Sequence, residues 1–205
     1  MSIPTSQTIN TRRFFLSFDC GNKALGYALL STTDSKYTPI NDIIEIDNTN
    51  IELISYDVVD LIPGKKLKDT DDIMRVKALK RALDSIDISA VPKDKLTVIV
   101  EYQMGPNVKS HSVFDGIFMY YADYNICKIT PSYKNKICFC EEGRHQRFLE
   151  KSSQSYTANK AHTSFNVKYY CKKKNIDMSK IPDKVIKDFA DAFMQIIAWL
   201  TFVEK

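Results

Sequence analysis

The first half of the chain alternates short apolar runs with polar breaks, a pattern typical of β-strands. Residues 14–18 predict a buried strand, and residues 26–31 predict its hairpin partner. The alternating segment 51–61 predicts a third strand, which follows a polar, acidic loop at 34–50. The β-branched apolar run at 96–100 is typical of a strand buried on both sides in a parallel arrangement.

Four other segments have apolar residues at helical spacing. The predicted helices lie at 71–86, 112–125, 155–174 and 182–203. The first of them has a predicted apolar side made of Ile73, Met74, Val76, Leu79, Ala82, Leu83 and Ile86. A further strand at 127–130 is predicted between the second and third helices. This order of elements predicts an α/β fold with a mixed five-stranded sheet flanked by helices.

The size of the chain is typical of one domain. With 205 residues, 44% of them hydrophobic, it can bury a single substantial core. We expect one domain over residues 14–205, preceded by a flexible polar tail at 1–13. No apolar run approaches the ~20 residues needed to cross a bilayer, so no membrane span is expected. The 29 Lys and Arg against 25 Asp and Glu give a net charge of only +4, which does not by itself identify a nucleic-acid binder.

The cysteines predict a reducing compartment. There are five of them, without the spacing of a disulfide framework, and we expect no secretory signal before them. Cys138 and Cys140 are separated by one residue, which is too short for the usual zinc-ligand spacing. The polar N-terminal residues match an organelle presequence poorly. We therefore expect an intracellular protein without a structural zinc site.

Four carboxylates occupy positions that packing alone does not explain. Asp19 ends the run FFLSFDCG, and Glu101 ends LTVIVEYQ. A carboxylate at the end of a buried strand emerges at the edge of the sheet, while the strand fixes its position. Asp188 and Asp191 lie three apart on the closing helix, roughly 5–6 Å apart at Cβ. Like charges repel there, and a divalent cation between them reverses the sign of that interaction.

Each of these carboxylates also has an ordinary structural interpretation. Asp19 before Cys-Gly is typical of a turn residue, and Glu101 fits the first exposed residue beyond a buried strand. Asp188 and Asp191 fit the polar stripe of an amphipathic helix. Their joint occurrence, in the order strand Asp, strand Glu, helix Asp-x-x-Asp, instead favours a two-metal site for phosphodiester cleavage.

Three motifs resemble the RuvC-like branch of the RNase H superfamily. FDCGNKALGYALL resembles its first hairpin, VIVEYQ its second motif, and KDFADAFMQIIAW its closing helix. The resemblance is closest to the poxvirus-type Holliday junction resolvases and spans residues 14–203. The loop at 31–50 and the stretch at 133–155 are longer than in that pattern. These two departures affect the expected substrate geometry more than the expected metal site.

The resemblance implies a homodimeric endonuclease of DNA recombination and repair that cuts four-way junctions by paired symmetric incisions. It implies Mg²⁺ or Mn²⁺, with two ions per active site held by the four carboxylates. It also implies a basic catalytic position, which Lys160 fills best and Lys168 fills as the alternative. The catalytic residues expected on this basis are Asp19, Glu101, Lys160, Asp188 and Asp191. If the protein is viral, its expected location is the cytoplasmic replication site of the infected cell.

Lysines beside aromatic residues predict where DNA binds. Lysines at 168 and 172–174 lie next to Tyr169 and Tyr170, and such a patch can hold phosphates and pack against sugars or bases. A solvated helix end, with lysines near the C-terminal dipole, is an equally weighted alternative. A further lysine follows Glu101 in the next loop. The predicted DNA-binding residues are Lys109, Lys168, Lys172, Lys173 and Lys174.

Three other functions are alternatives to junction resolution. An RNase H-like nuclease for other branched or hybrid nucleic acids would use the same site. A non-catalytic nucleic-acid-binding or scaffold protein would have the same fold without metal. A metabolite kinase of the acetate-kinase type shares the Asp-x-Gly hairpin, but this chain is short and has no second such hairpin.

Overall fold

The computed structural model describes residues 12–34, 36–66, 69–102, 108–149, 156–179 and 186–204, without the side chains of 108–110, 146–149 and 156–157. Most of the predicted tail, residues 1–11, lies outside this part of the chain. Arg13 is already the first residue of a strand and pairs with Thr32. The first strand therefore begins one residue earlier than predicted.

Five strands form one mixed sheet in the order β3-β2-β1-β4-β5. The strands are β1 (Arg13–Cys20), β2 (Ala24–Thr32), β3 (Glu52–Asp60), β4 (Leu96–Glu101) and β5 (Asn125–Ile129). Strand β2 runs antiparallel to both of its neighbours, β1 and β3, whereas β4 runs parallel to β1 and β5 runs parallel to β4. The predicted mixed five-stranded sheet flanked by helices is confirmed.

In the part of the chain that the structure describes, five α-helices accompany the sheet. They are α1 (Asp72–Asp84), α2 (Val108–Tyr120), α3 (Glu141–Leu149), α4 (Tyr156–Lys173) and α5 (Ile186–Ala198), which continues into a π-helical turn, Trp199–Val203. Residues 182–185, the predicted start of the closing helix, lie outside the described chain. Helix α3 was not predicted, because its polar sequence has no apolar periodicity. In the described ranges no helix has the length and apolarity that a bilayer span requires.

Helices cover both faces of the sheet. Helices α1 and α2 pack on one face, and α4 and α5 pack on the other. Successive residues of a strand point to opposite faces. In β1, Leu16 and Phe18 join the core under α1 and α2, while Phe15 joins the core under α4 and α5. In β4, Val100 and Ile99 divide in the same way. The odd-numbered residues of both strands therefore face α5.

The apolar side predicted for α1 is buried in its C-terminal half and exposed in its first turns. Ile73, Met74 and Val76 are exposed, so their assignment to the buried side was wrong. The apolar residues that α1 buries begin with Leu79 and continue to Leu83. The three exposed residues lie in the first turns of the helix, ahead of the part that packs against α2 and the sheet.

Candidate active site

Two neighbouring strand ends bring the first two carboxylates together. Because β1 and β4 are parallel and adjacent, Asp19 and Glu101 lie side by side at the C-terminal ends of these strands. We call the side of the sheet formed by these strand ends its edge. Both occupy odd positions, which face α5. Each residue is only 8% exposed, so the strands hold both carboxylates inside the protein.

Helix α5 supplies the other two carboxylates. Asp191 is 2% exposed, whereas the side chain of Asp188, one turn earlier, is 30% exposed at the mouth of the cluster. The helix backbone comes very close to β2 at Gly26. A Cβ added to Gly26 would lie 2.4 Å from the carbonyl oxygen of Asp188. Glycine at this position therefore allows α5 to approach the sheet and deliver Asp188 to the site.

Lys160 of α4 is buried among three of the carboxylates. Its Nζ lies 2.8 Å from Oδ2 of Asp19 and 3.0 Å from Oδ1 of Asp188, and it also pairs with Asp191. Burial acts to lower the pKa of Lys160, but the charges of Asp19, Asp191 and Asp188 outweigh it and raise the pKa above its ordinary value. The alternative, Lys168, lies about two turns further along α4 and is exposed. The structure thus brings the five predicted catalytic residues together.

A second lysine in the cluster was missed by the sequence analysis. Lys134 lies in a 3₁₀ turn, Lys134–Lys136, after β5, and its Nζ is 2.9 Å from Oε2 of Glu101 and 3.3 Å from Oδ2 of Asp191. Burial acts to lower the pKa of Lys134, but Glu101, Asp191 and Asp19 outweigh it and raise the pKa. No periodicity marks this residue. The only available signal is that the loop after β5 begins at the same edge as Glu101.

The pKa of Glu101 lies above its ordinary value. Burial is the main cause and raises the pKa of Glu101 to about 7. The Lys134 ammonium opposes this shift, while the negative charges of Asp19 and Asp191 add to it. The balance favours the uncharged carboxyl below neutral pH.

Two uncharged side chains orient the carboxylates. Gln195 of α5 donates through Nε2 to Oε2 of Glu101 at 2.7 Å and accepts from the hydroxyl of Ser17 at 2.8 Å. Thr163 of α4 donates to Oδ1 of Asp191 at 2.8 Å. Neither Gln195 nor Thr163 was predicted. For Gln195 the sequence carries a signal, because it follows Asp191 by one helical turn on an otherwise apolar helix.

Comparisons with known proteins bear on the fold. No protein-family model matches the chain, and a search of curated proteins finds no match. The solved structures that match include RuvC from Thermus thermophilus and T. thermophilus RuvC in complex with a Holliday junction substrate. Each has a TM-score of 0.51 and 12% sequence identity to this chain. Each match covers 90% of this chain; it covers 93% of the RuvC chain in the first structure and 91% in the second. This chain has a RuvC-like fold.

The four carboxylates of the site are candidate ligands for a divalent metal ion. Asp and Glu oxygens are the hard donors that Mg²⁺ and Mn²⁺ prefer, and four of them converge at this edge. Among the described residues, however, no three His, Cys, Asp or Glu side chains are close enough together to hold an ion as placed. The ammonium groups of Lys160 and Lys134 lie between the carboxylates. The four carboxylates are thus of the right kind and number to bind Mg²⁺ or Mn²⁺. Their present spacing is set by the lysine ammonium groups that lie between them.

Two of the predicted DNA-binding lysines, Lys172 and Lys174, lie away from this edge of the RuvC-like sheet. Lys172 follows Lys160 by twelve residues of α4, which is about 18 Å along the helix axis. Lys174 donates to the carbonyl oxygen of Thr49 at 3.3 Å, near the start of β3 and thus near the opposite edge of the sheet. Lys109 is in the first turn of α2, and its side chain lies outside the described part of the structure.

Proposed function

We propose that this protein is a metal-dependent endonuclease that resolves four-way DNA junctions by paired symmetric cleavage, as a poxvirus-type resolvase. The observation that carries this proposal is the convergence of four carboxylates from two strands and the closing helix at one edge of a RuvC-like sheet. A structural neighbour, T. thermophilus RuvC, was solved in complex with a Holliday junction substrate, which supports branched DNA as the partner. Because paired incisions require two active sites, we propose that the protein acts as a homodimer.

The proposed reaction is hydrolysis of a phosphodiester. It requires an activated water, stabilisation of negative charge at phosphorus, and stabilisation of the departing oxygen. Two Mg²⁺ or Mn²⁺ ions would supply these effects when bound. The residues that would hold them are Asp19, Glu101, Asp188 and Asp191.

The remaining residues of the site prepare these ligands and the substrate. Gln195 and Thr163 fix the orientation of Glu101 and Asp191, as outer partners of metal ligands commonly do. Lys160 pairs with the partly exposed Asp188 and, once released from the carboxylates, would donate to a non-bridging phosphate oxygen. Asp188 is the most exposed of the four carboxylates, and we propose that DNA approaches the cluster from its side.

The remote lysines are proposed to contact an arm of the junction. The distance of about 18 Å between Lys160 and Lys172 corresponds to about five base pairs of duplex. Phosphate contacts at this distance would orient an arm without reading its sequence. We extend this proposal to the lysines at 168, 173, 174 and 109. The protein would act inside the cell, at the cytoplasmic replication site if it is viral.

The test is cleavage of a synthetic four-way junction by Asp19→Asn and Asp191→Asn variants in MgCl₂. Loss of either ligand should reduce cleavage by at least about a thousandfold, because charge stabilisation at the phosphate is lost. Junction binding measured in EDTA should persist. Asp123→Asn is the matched control, since Asp123 is exposed and lies just before β5, at the other edge of the sheet. If both site variants cut as fast as the parent protein, the proposal is wrong.

Cleavage assays and calorimetry with the same protein also distinguish two related functions from junction resolution. Cutting of a flap, a splayed duplex or an RNA–DNA hybrid faster than a junction would favour a broader RNase H-like nuclease. The lysine-bridged spacing of the carboxylates is also what a non-catalytic nucleic-acid-binding protein of this fold would have. That function predicts no heat of Mn²⁺ binding in calorimetry and no cleavage of any of these substrates.

A further inference from the structure

One ammonium group lies at the centre of the acidic cluster. The Nζ of Lys160 is within hydrogen-bonding distance of Asp19 and Asp188 and pairs with Asp191, so three carboxylates share it. Lys160 is only 7% exposed. The remaining carboxylate, Glu101, has its own lysine, Lys134. The lysine therefore sits among the three aspartates to which the proposed function assigns metal ions.

Electrostatics explains why an ammonium lies there. Asp19 and Asp191 are buried, and two buried carboxylates without a cation would be strongly unfavourable. Lys160 offsets this cost in the absence of metal. The side chain of Lys160 extends from α4, the helix that packs on α5. Its ammonium group therefore reaches the carboxylates from within the protein and not from the solvent.

The geometry of the carboxylates suits an ammonium better than a metal ion. The nitrogen–oxygen distances to Asp19 and Asp188 are 2.8 and 3.0 Å. Oxygen ligands of Mg²⁺ lie at about 2.0–2.1 Å, so the carboxylates must close in around a metal ion. An ammonium and a divalent ion cannot share that space. Binding of one requires withdrawal of the other.

We propose that Lys160 is an internal counter-cation that occupies a divalent-ion position in the metal-free protein and is displaced when metal binds. This inference rests on the proposed function, because it assumes that the carboxylates are metal ligands. Lys160 then competes with the metal and weakens its binding. Its displacement also releases a positively charged donor, at the partly exposed side of the cluster, for a substrate phosphate. Metal binding and phosphate contact are thereby coupled through one side chain.

The test is calorimetric titration of the full chain with MnCl₂. Lys160→Met removes the competing charge and should tighten Mn²⁺ binding by at least about tenfold, or 1.4 kcal/mol. Lys172→Met, on the exposed end of the same helix, should bind as the wild type does. If Lys160→Met binds Mn²⁺ no more tightly than the wild type, the inference is wrong while the proposed metal site stands. If neither protein binds Mn²⁺, the inference and the proposed function both fail.

Thermal unfolding provides a second readout. In EDTA, Lys160→Met should melt below the wild type, because three carboxylates lose their shared cation. Added Mn²⁺ should raise its Tm by more than it raises that of the wild type. Equal Mn²⁺-induced increases in the two proteins would contradict the inference.

The wild-type protein provides a test that does not depend on folding of the variant. Lys160 is buried and ion-paired without metal, so an amine-acylating reagent should label it slowly in EDTA. In MgCl₂ the displaced amine should be labelled severalfold faster, as measured by peptide mass spectrometry with Lys172 as the internal reference. Unchanged or slower labelling of Lys160 in MgCl₂ would overturn the proposal.

Discussion

The two faces of the sheet are built from alternate residues of the same strands, yet they bury different chemistry at the edge where β1 and β4 end. Toward α1 and α2, β1 ends in Phe18 and Cys20 and β4 ends in Val100, all within an apolar core. Toward α5, the same strands end in Asp19 and Glu101, which bury charge. One step along β1 therefore separates a residue that stabilises the fold from one that serves the site.

The two faces also differ in how their residues are held. Apolar packing is non-directional and tolerates substitutions that conserve volume. A buried polar cluster requires a partner for each group, and a missing partner is costly. In this protein the partners come from three separate elements: Lys160 from α4, Gln195 from α5 and Lys134 from the turn after β5. Substitutions on the two faces should therefore separate stability from activity.

The largest expected difference is between Phe18→Ala and Ser17→Ala, two neighbours on β1 that face opposite ways. Phe18→Ala should lower the free energy of unfolding by about 3–5 kcal/mol, because it opens a cavity in the α1 and α2 core. Its cleavage rate per folded molecule should not change. Ser17→Ala leaves Oε1 of Gln195 without its donor and should cost about 1–3 kcal/mol. It should also slow cleavage by about 10–100-fold through loosened support of Glu101.

Urea unfolding and single-turnover cleavage of a four-way junction measure these two effects. Both should be performed well below the melting temperature of the weaker variant. If Phe18→Ala slows cleavage of the folded protein as much as Ser17→Ala does, the two faces are not functionally separate.

A second prediction concerns the pH dependence of stability in EDTA. The pKa of Glu101 is about 7 in the folded protein, against an ordinary value of 4.5. At a pH between these two pKa values, Glu101 keeps its proton in the folded state and releases it in the unfolded state. Glu101 thus lowers the free energy of unfolding as pH rises through this window, by up to about 3 kcal/mol.

Glu101→Gln removes this titration and isolates it. The free energy of unfolding of the variant minus that of the wild type should therefore increase from pH 5 to pH 8, as measured by urea unfolding at both pH values. Asp123→Asn, at an exposed position, should follow the wild-type profile. Parallel profiles for Glu101→Gln and the wild type would show that burial of Glu101 does not hold its proton.

A third prediction compares two glycines on opposite faces. Gly26→Ala would push the α5 backbone at Asp188 and should cost about 1–3 kcal/mol. The displaced carboxylate should slow cleavage on the order of 100-fold. Gly116→Ala on α2 meets only Cδ2 of Leu79, a movable side-chain tip, and should change stability by no more than about 1 kcal/mol. Equal cleavage rates for the two variants would contradict the assigned function of Gly26.

The sequence predicted those parts of the fold and the site that depend on local periodicity. Strand alternation and helix spacing placed Asp19, Glu101, Asp188 and Asp191 at element ends and on one helix face, and the structure brings them together. Lys160 was reached through the resemblance to resolvases, and it lies in the same cluster.

The parts that were missed depend on tertiary contacts. Lys134 lies in a loop, where no periodicity reports on a side chain's surroundings. Ile73 and Val76 are apolar but exposed, because which side of α1 is buried depends on where α2 packs against it. Where Lys172 lies relative to the site likewise depends on how α4 packs against α5, which spacing along the chain does not reveal.

The most direct test of the proposed function is a time course of wild-type protein with a four-way junction labelled on each strand in turn, in MgCl₂ and in EDTA. The account predicts paired nicks at symmetric positions in two opposing strands in MgCl₂, and none in EDTA. An intact junction in MgCl₂ with protein in excess, or equal cutting in EDTA, would contradict it.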